Sequence, residues 1–345
     1  MKLPKIPTAL CGSLILSFSL SAETPDTSAL PAVYLDDAVL AVDVDIAGVK
    51  ASGFYQGLVS RGFIEEDELL AEEIAELFEG SDLSTDSLGR LVVNVAGLEI
   101  DPDLMDVDPA NLRISGGLEL TTAFSADEFN NWVQSYEYET GEELLIHERH
   151  GYTYYVSPEE FEDEPQFSGG LYDGAALSVM FFGDQASVEQ SFDKAIAGRG
   201  ELTASLAAAR PIMLGDSNVS VLFTLSDEMR EMISQGIQED PMMGGMLRPL
   251  ANLQTLGLGL DADESLGLTI AGQFPSEREA SQMQNGLQMG LALAMGFAGE
   301  QLGETPAPLQ KLEIKTEGPI LRITTNITLE DVDKMVADLG AMFQF

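Results

Sequence analysis

The chain has 345 residues, 45% of them apolar, and carries 58 acidic against 17 basic side chains, for a formal net charge of −41 at pH 7. This apolar fraction is enough to bury a core and excludes global disorder, and the length allows one large domain or two of ordinary size. The negative charge repels phosphate backbones, which excludes nucleic-acid binding, and it suits saline surroundings, loose cation binding or basic partners.

The N-terminus is typical of a secretory signal peptide. Lys2 and Lys5 precede the apolar run Ala9–Leu20, which is too short to span a bilayer, and small residues then predict cleavage after Ser21 or Ala22. We therefore expect an exported protein, periplasmic or extracellular, without a transmembrane segment. Cleavage would remove the single cysteine and leave no disulfide or thiolate site.

Alternating and helical apolar patterns predict the elements of the first half in chain order. They are a strand Val39–Ile46, helices within Gly53–Phe78, a hairpin of Leu91–Ile100 with Leu112–Leu120, a helix Ala126–Tyr138, a hairpin of Glu143–Ile146 with Tyr152–Val156, an acidic loop Pro158–Gly174, a strand Leu177–Phe182, and helices Ala186–Ala197 and Leu202–Ala209.

The second half repeats this order with shorter loops. The predicted elements are a strand Val219–Leu225, helices Asp227–Gln238 and Leu247–Leu253, a hairpin of Leu256–Leu260 with Leu266–Phe274, a helix Glu277–Gln301, a hairpin of Leu312–Ile314 with Leu321–Thr325, and a helix Leu329–Met342.

The same hairpin-to-helix junction occurs in both halves. Ser125 and Glu128 in the first half, and Ser276 and Glu279 in the second, have the spacing of a capping box. We therefore predict an α+β fold, a tandem duplication of a mainly antiparallel sheet with helices packed on one face. The two units lie side by side or share one sheet. The predicted limits are 1–22 for the signal peptide, 23–34 for a flexible leader, 35–210 for the first unit and 211–345 for the second.

The region from the strand Leu177–Phe182 to the restart at Val219 resembles a family of uncharacterised, duplicated bacterial exported proteins, a domain of unknown function. In that family a strand and helix are followed by a short helix and a new strand. The resemblance implies export and duplication, and it carries over no catalytic residues.

Two groups of side chains raise the question of metal binding. His147 and His150 are the only histidines, but in a strand positions i and i+3 point to opposite faces, which favours polar residues beside a turn over a metal site. An acidic hairpin loop suits calcium, although its spacing departs from the helix–loop–helix calcium motif, and solvated loop tips are the other interpretation. The calcium candidates are Asp101, Asp103, Asp106 and Asp108.

A methionine-rich group in the second half indicates either core packing or an adaptable groove for an apolar ligand or lipid between sheet and helices. Thioether ligation of Cu(I) is a third interpretation. The groove candidates are Met229, Met232, Met243, Met246, Met283 and Leu287.

None of the common catalytic signatures, such as a nucleophile elbow, a phosphate-binding loop or a dinucleotide fingerprint, occurs in the sequence. We therefore expect a non-enzymatic binding or scaffolding protein with a protein or envelope partner and no required cofactor. The alternatives are a carrier of an apolar ligand and a hydrolase that uses carboxylates.

Overall fold

One antiparallel sheet of twelve strands organises the described part of the chain. The computed structural model describes residues 30–64, 83–98, 100–101, 106–107, 111–158, 166–173, 177–198, 200–204, 206–207, 217–239, 248–302 and 307–342.

Fourteen strands and eight helices are defined in these ranges, together with short 3-10 turns. The strands are β1 (Leu40–Asp45), β2 (Leu88–Ala96), β3 (Ile100–Asp101), β4 (Asp106–Val107), β5 (Arg113–Leu120), β6 (Leu145–Arg149), β7 (Tyr152–Val156), β8 (Phe167–Asp173), β9 (Ser178–Asp184), β10 (Val219–Thr224), β11 (Thr255–Ala262), β12 (Leu266–Gln273), β13 (Glu313–Glu317) and β14 (Ile320–Ile327). The helices are α1 (Ile46–Ala51), α2 (Gly53–Ser60), α3 (Ala126–Thr140), α4 (Gln185–Ala197), α5 (Asp227–Glu239), α6 (Glu277–Leu302), α7 (Ala307–Gln310) and α8 (Leu329–Met342).

The first strands of the two halves meet at the middle of the sheet. The spatial order is β13-β14-β12-β11-β10-β1-β2-β5-β9-β8-β7-β6, and β1 pairs antiparallel with β10 so that Val42 lies opposite Val221. From this centre, each half adds its next two sheet strands outward in chain order, β2 and β5 on one side, β11 and β12 on the other. The α+β fold is therefore confirmed, and the halves share one sheet.

The capping box predicted at α3 is formed, and at α6 the serine cap of the predicted box is present. At the start of α3, the Glu128 backbone N–H donates to Ser125 Oγ (3.2 Å) and the Ser125 N–H donates to Glu128 Oε2 (2.7 Å). At the start of α6, the Glu279 N–H donates to Ser276 Oγ (3.3 Å). These bonds satisfy backbone donors that have no partner within the helix.

Helices cover both faces of the sheet, which corrects the predicted one-sided packing. One face carries Val93 and Met180, which share a core cluster with Phe129 of α3. Their strand neighbours Val92 and Phe181 point the other way and pack with Val188 and Phe192 of α4. Most described helices lie on the first face, but the near-continuous apolar runs of β2 and β9 require a cover on each side.

The predicted flexible leader, residues 23–34, is wrong from residue 30 onward, and its earlier part lies outside the described residues. Leu30–Val33 forms a 3-10 turn, and Leu30 and Val33 are buried against the same face of the sheet as α4. This apolar turn packs on the sheet, so the first unit includes residues that we assigned to the leader.

Strand β8 was missed in the sequence, where Pro158–Gly174 was predicted to be a loop. Its Ser-Gly-Gly segment indicates a turn, but here Gly170 admits the Tyr154 side chain and the Phe192 ring. The glycine serves close packing, a use that local sequence does not distinguish from a turn.

We expect Gly170→Ala to lower the free energy of unfolding by about 1–3 kcal/mol, the usual cost of overpacking. An added Cβ would lie 2.7 Å from Tyr154 Cβ and 2.8 Å from Phe192 Cζ. Gly169→Ala is the matched control, because the nearest atom to its Cβ is the Phe181 carbonyl oxygen at 3.7 Å. Urea unfolding measures both; equal midpoints for the two variants would contradict the packing.

Candidate functional site

The β6–β7 hairpin brings together both histidines of the chain. His150 and Gly151 form its two-residue turn with φ of 54° and 86°, the left-handed conformation that a type I′ turn requires. His147 lies in β6 and stacks on Tyr154 of β7, with ring centroids 5.3 Å apart. The prediction that the imidazoles point to opposite faces is wrong, because His150 belongs to the turn and both residues lie towards α4.

An ion-pair network, which we call the α4 clamp (His150, Arg149, Tyr154, Glu189 and Asp193), joins this hairpin to the helix. Arg149 donates to both carboxylate oxygens of Asp193 at 2.9 and 2.6 Å, a bidentate pair, and to Glu189 at 3.3 Å. His150 Nε2 lies 2.7 Å from Asp193 Oδ1, and the Tyr154 hydroxyl donates to Glu189 Oε1 at 2.5 Å.

The electrostatics of the α4 clamp keep its carboxylates charged. Hydrogen bonds from Arg149 hold the pKa of Asp193 below its ordinary value, and the bond from Tyr154 does the same for the pKa of Glu189. Burial raises the pKa of the Tyr154 hydroxyl, and its hydrogen bond to Glu189 is the second cause that raises this pKa. A general acid at neutral pH needs a raised carboxyl pKa, so the lowered pKa values of Asp193 and Glu189 suit ion pairing with the hairpin rather than general-acid catalysis.

The clamp is not predicted from the sequence, although two signals of it are visible there. Glu189 and Asp193 are spaced i and i+4 and therefore share one face of α4. Arg149 is one of only 17 basic residues and lies between the two histidines. The sequence does not show that Arg149 and Asp193 form an ion pair, because the two residues are 44 positions apart.

The start of β6 is apolar and exposed on both of its faces, because Leu145 and Ile146 point in opposite directions. Leu145 of β6 is 48% exposed and Ile146 is 70% exposed. A shallow concavity of about 670 Å³ begins where α3 ends and continues onto β6. Its lining combines acidic and apolar residues, namely Gly141, Glu142, Glu143, Leu144, Leu145, Ile146 and Pro158.

A second charged cluster lies inside the sheet near its centre. Arg90 of β2 donates to both oxygens of Asp43 of β1, each at 2.6 Å. Asp45 caps α1 by accepting from the Gly48 N–H at 2.9 Å, and burial raises the pKa of this carboxyl. These groups cross-link β1 to β2 and begin the first helix, which assigns them to the core.

The structure describes the calcium candidates only in part. The backbones of Asp101 and Asp106 pair across the short β3–β4 ladder, whereas Asp103 and Asp108 lie outside the described residues. Among the side chains that are described, no group of three or more metal-ligating residues converges. Calcium binding by this loop stays a prediction.

The methionine candidates that are described take part in packing. Met229 and Met283 are buried in one cluster with Phe274, and Leu287 packs against it. Met232 is half-buried, while Met243 and Met246 lie outside the described residues. At Met229 and Met283 this placement agrees with the core-packing interpretation, because protein already surrounds both side chains.

We expect Asp193→Asn to loosen the hairpin, because a neutral amide cannot form the ion pair with Arg149. Hydrogen exchange of residues 145–156 should become about two- to fivefold faster at pH 6, the scale of part-exposed pairs. Asp37→Asn, which removes an exposed carboxylate paired with Arg113, is the control and should leave this segment unchanged.

The difference in hydrogen-exchange rate between wild type and Asp193→Asn should depend on pH. A lowered native pKa stabilises the fold above the ordinary aspartate value of 3.8, and this contribution is lost as pH falls through the native pKa. Exchange rates of wild type and Asp193→Asn, corrected for intrinsic exchange, should therefore converge below pH 3.8. A constant difference at all pH values would contradict a charged Asp193.

No helix within the described ranges is both long enough and apolar enough to cross a membrane. No family model, no curated protein and no solved structure matches this chain.

Proposed function

We propose that this chain is an exported, non-enzymatic binding or scaffolding protein that acts in the periplasm through the β6–β7 hairpin. The observation that carries the proposal is the combination found on this hairpin. Its turn end is fixed to α4 by Arg149, while the start of β6 exposes Leu145 and Ile146, one on each face, beside an open concavity. Exposed apolar residues rimmed by polar groups are typical of interaction sites.

The export part of the proposal rests on the N-terminal sequence and on the resemblance to exported proteins. The charged start, the apolar run Ala9–Leu20 and the small residues after it have the order that the secretory machinery recognises.

Expression in a Gram-negative host tests export. We expect the periplasmic fraction to contain a chain that begins at Ala22 or Glu23, measured by intact mass. Leu14→Arg with Leu16→Arg places two charges in the apolar run and should leave the full-length precursor inside the cell. A full-length wild-type chain in the cytoplasmic fraction would contradict the proposal.

Cross-linking in the periplasm tests binding. A photoreactive phenylalanine derivative at Glu143, which lines the concavity, should give a discrete adduct with one partner. The same group at Glu313, an exposed residue of β13 at the other end of the sheet, is the control and should not give that adduct. No discrete adduct from Glu143, or the same adduct from both positions, would contradict a binding site on this hairpin.

A further inference from the structure

The turn geometry determines which backbone groups of β6 face outward. In a hairpin with a two-residue turn, the pair that flanks the turn exchanges both of its hydrogen bonds, and every second residue repeats this pattern. Here the flanking pair is Arg149 with Tyr152, so Arg149, His147 and Leu145 bond to β7. The N–H and C=O groups of Ile146 and Glu148 therefore point away from the sheet.

A hydrogen bond just before β6 follows the same alternation of inward and outward backbone groups. Leu144 is the next residue in the outward series, and its N–H donates to Glu137 Oε1 at 2.8 Å. The Glu137 side chain of α3 thus satisfies the first outward donor, the Leu144 N–H. In the described part of the chain, the outward backbone groups of Ile146 and Glu148 have no backbone partner. This leaves a short free edge of two residues.

The edge at the opposite end of the sheet, β13, is better protected than β6. Strand β13 alternates half-buried residues with the exposed charged residues Glu313, Lys315 and Glu317. By the same turn rule Ile314 faces outward, and its carbonyl accepts from Gln284 Nε2 (2.9 Å) and Gln288 Nε2 (3.3 Å) of α6. Charged edge residues and a covering helix are the usual protection against strand addition. Strand β6 also carries the exposed Glu148, but Ile146, two positions before it, is apolar and 70% exposed.

Local charge indicates the kind of strand that fits. Glu142 and Glu143 line the concavity, Glu148 is exposed on β6, and the one cation of the strand, Arg149, is already paired on α4. The chain as a whole carries −41, which disfavours pairing with a second copy. The free edge is therefore complementary to a basic segment.

We propose that β6 binds an extended, basic segment of a partner protein, which adds to the sheet as a thirteenth strand. Ile146 and Glu148 point to one face of the sheet, so the segment has a β-branched residue and a lysine or arginine two positions apart. Main-chain bonds to Ile146 and Glu148 supply affinity, and these two side chains supply selectivity. This inference specifies the partner class and the site of the function proposed above.

A peptide probe tests the inference in vitro. The probe is a fluorescein-labelled heptapeptide, Thr-Lys-Thr-Val-Thr-Lys-Thr, which places valine and lysine on one face. Fluorescence anisotropy with the full mature chain at ~0.15 M salt, where long-range charge is screened, should show saturable binding. The same peptide with glutamate in place of lysine should bind at least about tenfold more weakly.

Two variants with matched controls locate the site. Ile146→Pro removes an outward N–H without breaking the β6–β7 ladder, so it should weaken binding by about tenfold or more. Ile146→Thr keeps that N–H and should bind more tightly than the proline variant. Glu148→Lys should weaken binding about fivefold or more, whereas Glu313→Lys, which changes the net charge equally at the other edge, should leave it unchanged. Equal urea midpoints verify that the variants are folded.

Three results would overturn the inference. Equal weakening by Glu148→Lys and Glu313→Lys would mean diffuse attraction to an acidic protein. Unchanged binding by Ile146→Pro, with the fold intact, would mean that the ladder is not used. A dimer in sedimentation that Ile146→Pro dissociates would assign the edge to a second copy. Peptide binding without a cross-linked partner in the periplasm would instead count against the proposed function alone.

Discussion

The antiparallel pairing of β1 with β10 is the constraint on which the rest of the structure depends. It joins the strands of the two halves into one open sheet, with Val42 opposite Val221 at its centre. An open sheet, unlike a barrel, has two terminal strands with unpaired backbone groups. In this molecule those strands are β13, which α6 covers, and β6, which carries exposed apolar residues. The asymmetry between the two ends is the structural basis of the proposed binding function.

The energetics of the outer hairpin explain why side chains of α4 are needed to hold it. Strand β7 buries Tyr154, Tyr155 and Val156, whereas no residue of β6 is buried. Apolar burial therefore stabilises β7 but contributes little to β6. The bidentate pair of Arg149 with Asp193 supplies a geometric restraint in place of burial. Because a single exposed ion pair is weak, the hairpin is expected to be among the less stable parts of the sheet.

Local patterns predicted most elements of this fold. The hairpin β11–β12 and the helix α8 follow from strict alternation and from helical periodicity, which are properties of neighbouring residues. Strand β8 was missed because Gly170 serves packing against Phe192, a contact that the local sequence does not contain. The covered second face was missed for a related reason. Its packing depends on α4 meeting Leu30–Val33 and Val92 of β2, which are far from α4 in the chain.

The candidate site was predictable only in its parts. Both histidines stand out in the sequence, but their position on the α4 side of the hairpin depends on the positive φ of His150 in the turn. The clamp depends on Arg149 meeting Asp193 across 44 positions, and the free edge depends on the strand order of the whole sheet. Strand order is a long-range property that periodicity does not determine. The tandem duplication, the calcium loop and export stay predictions.

Residue-resolved amide exchange of β6, with and without the basic heptapeptide, tests the central claim most directly. Strand addition protects only outward amides, so we predict that Ile146 and Glu148 gain protection while His147 and Arg149, already bonded to β7, do not. Uniform protection of the hairpin, or protection at β13 instead, would contradict the account.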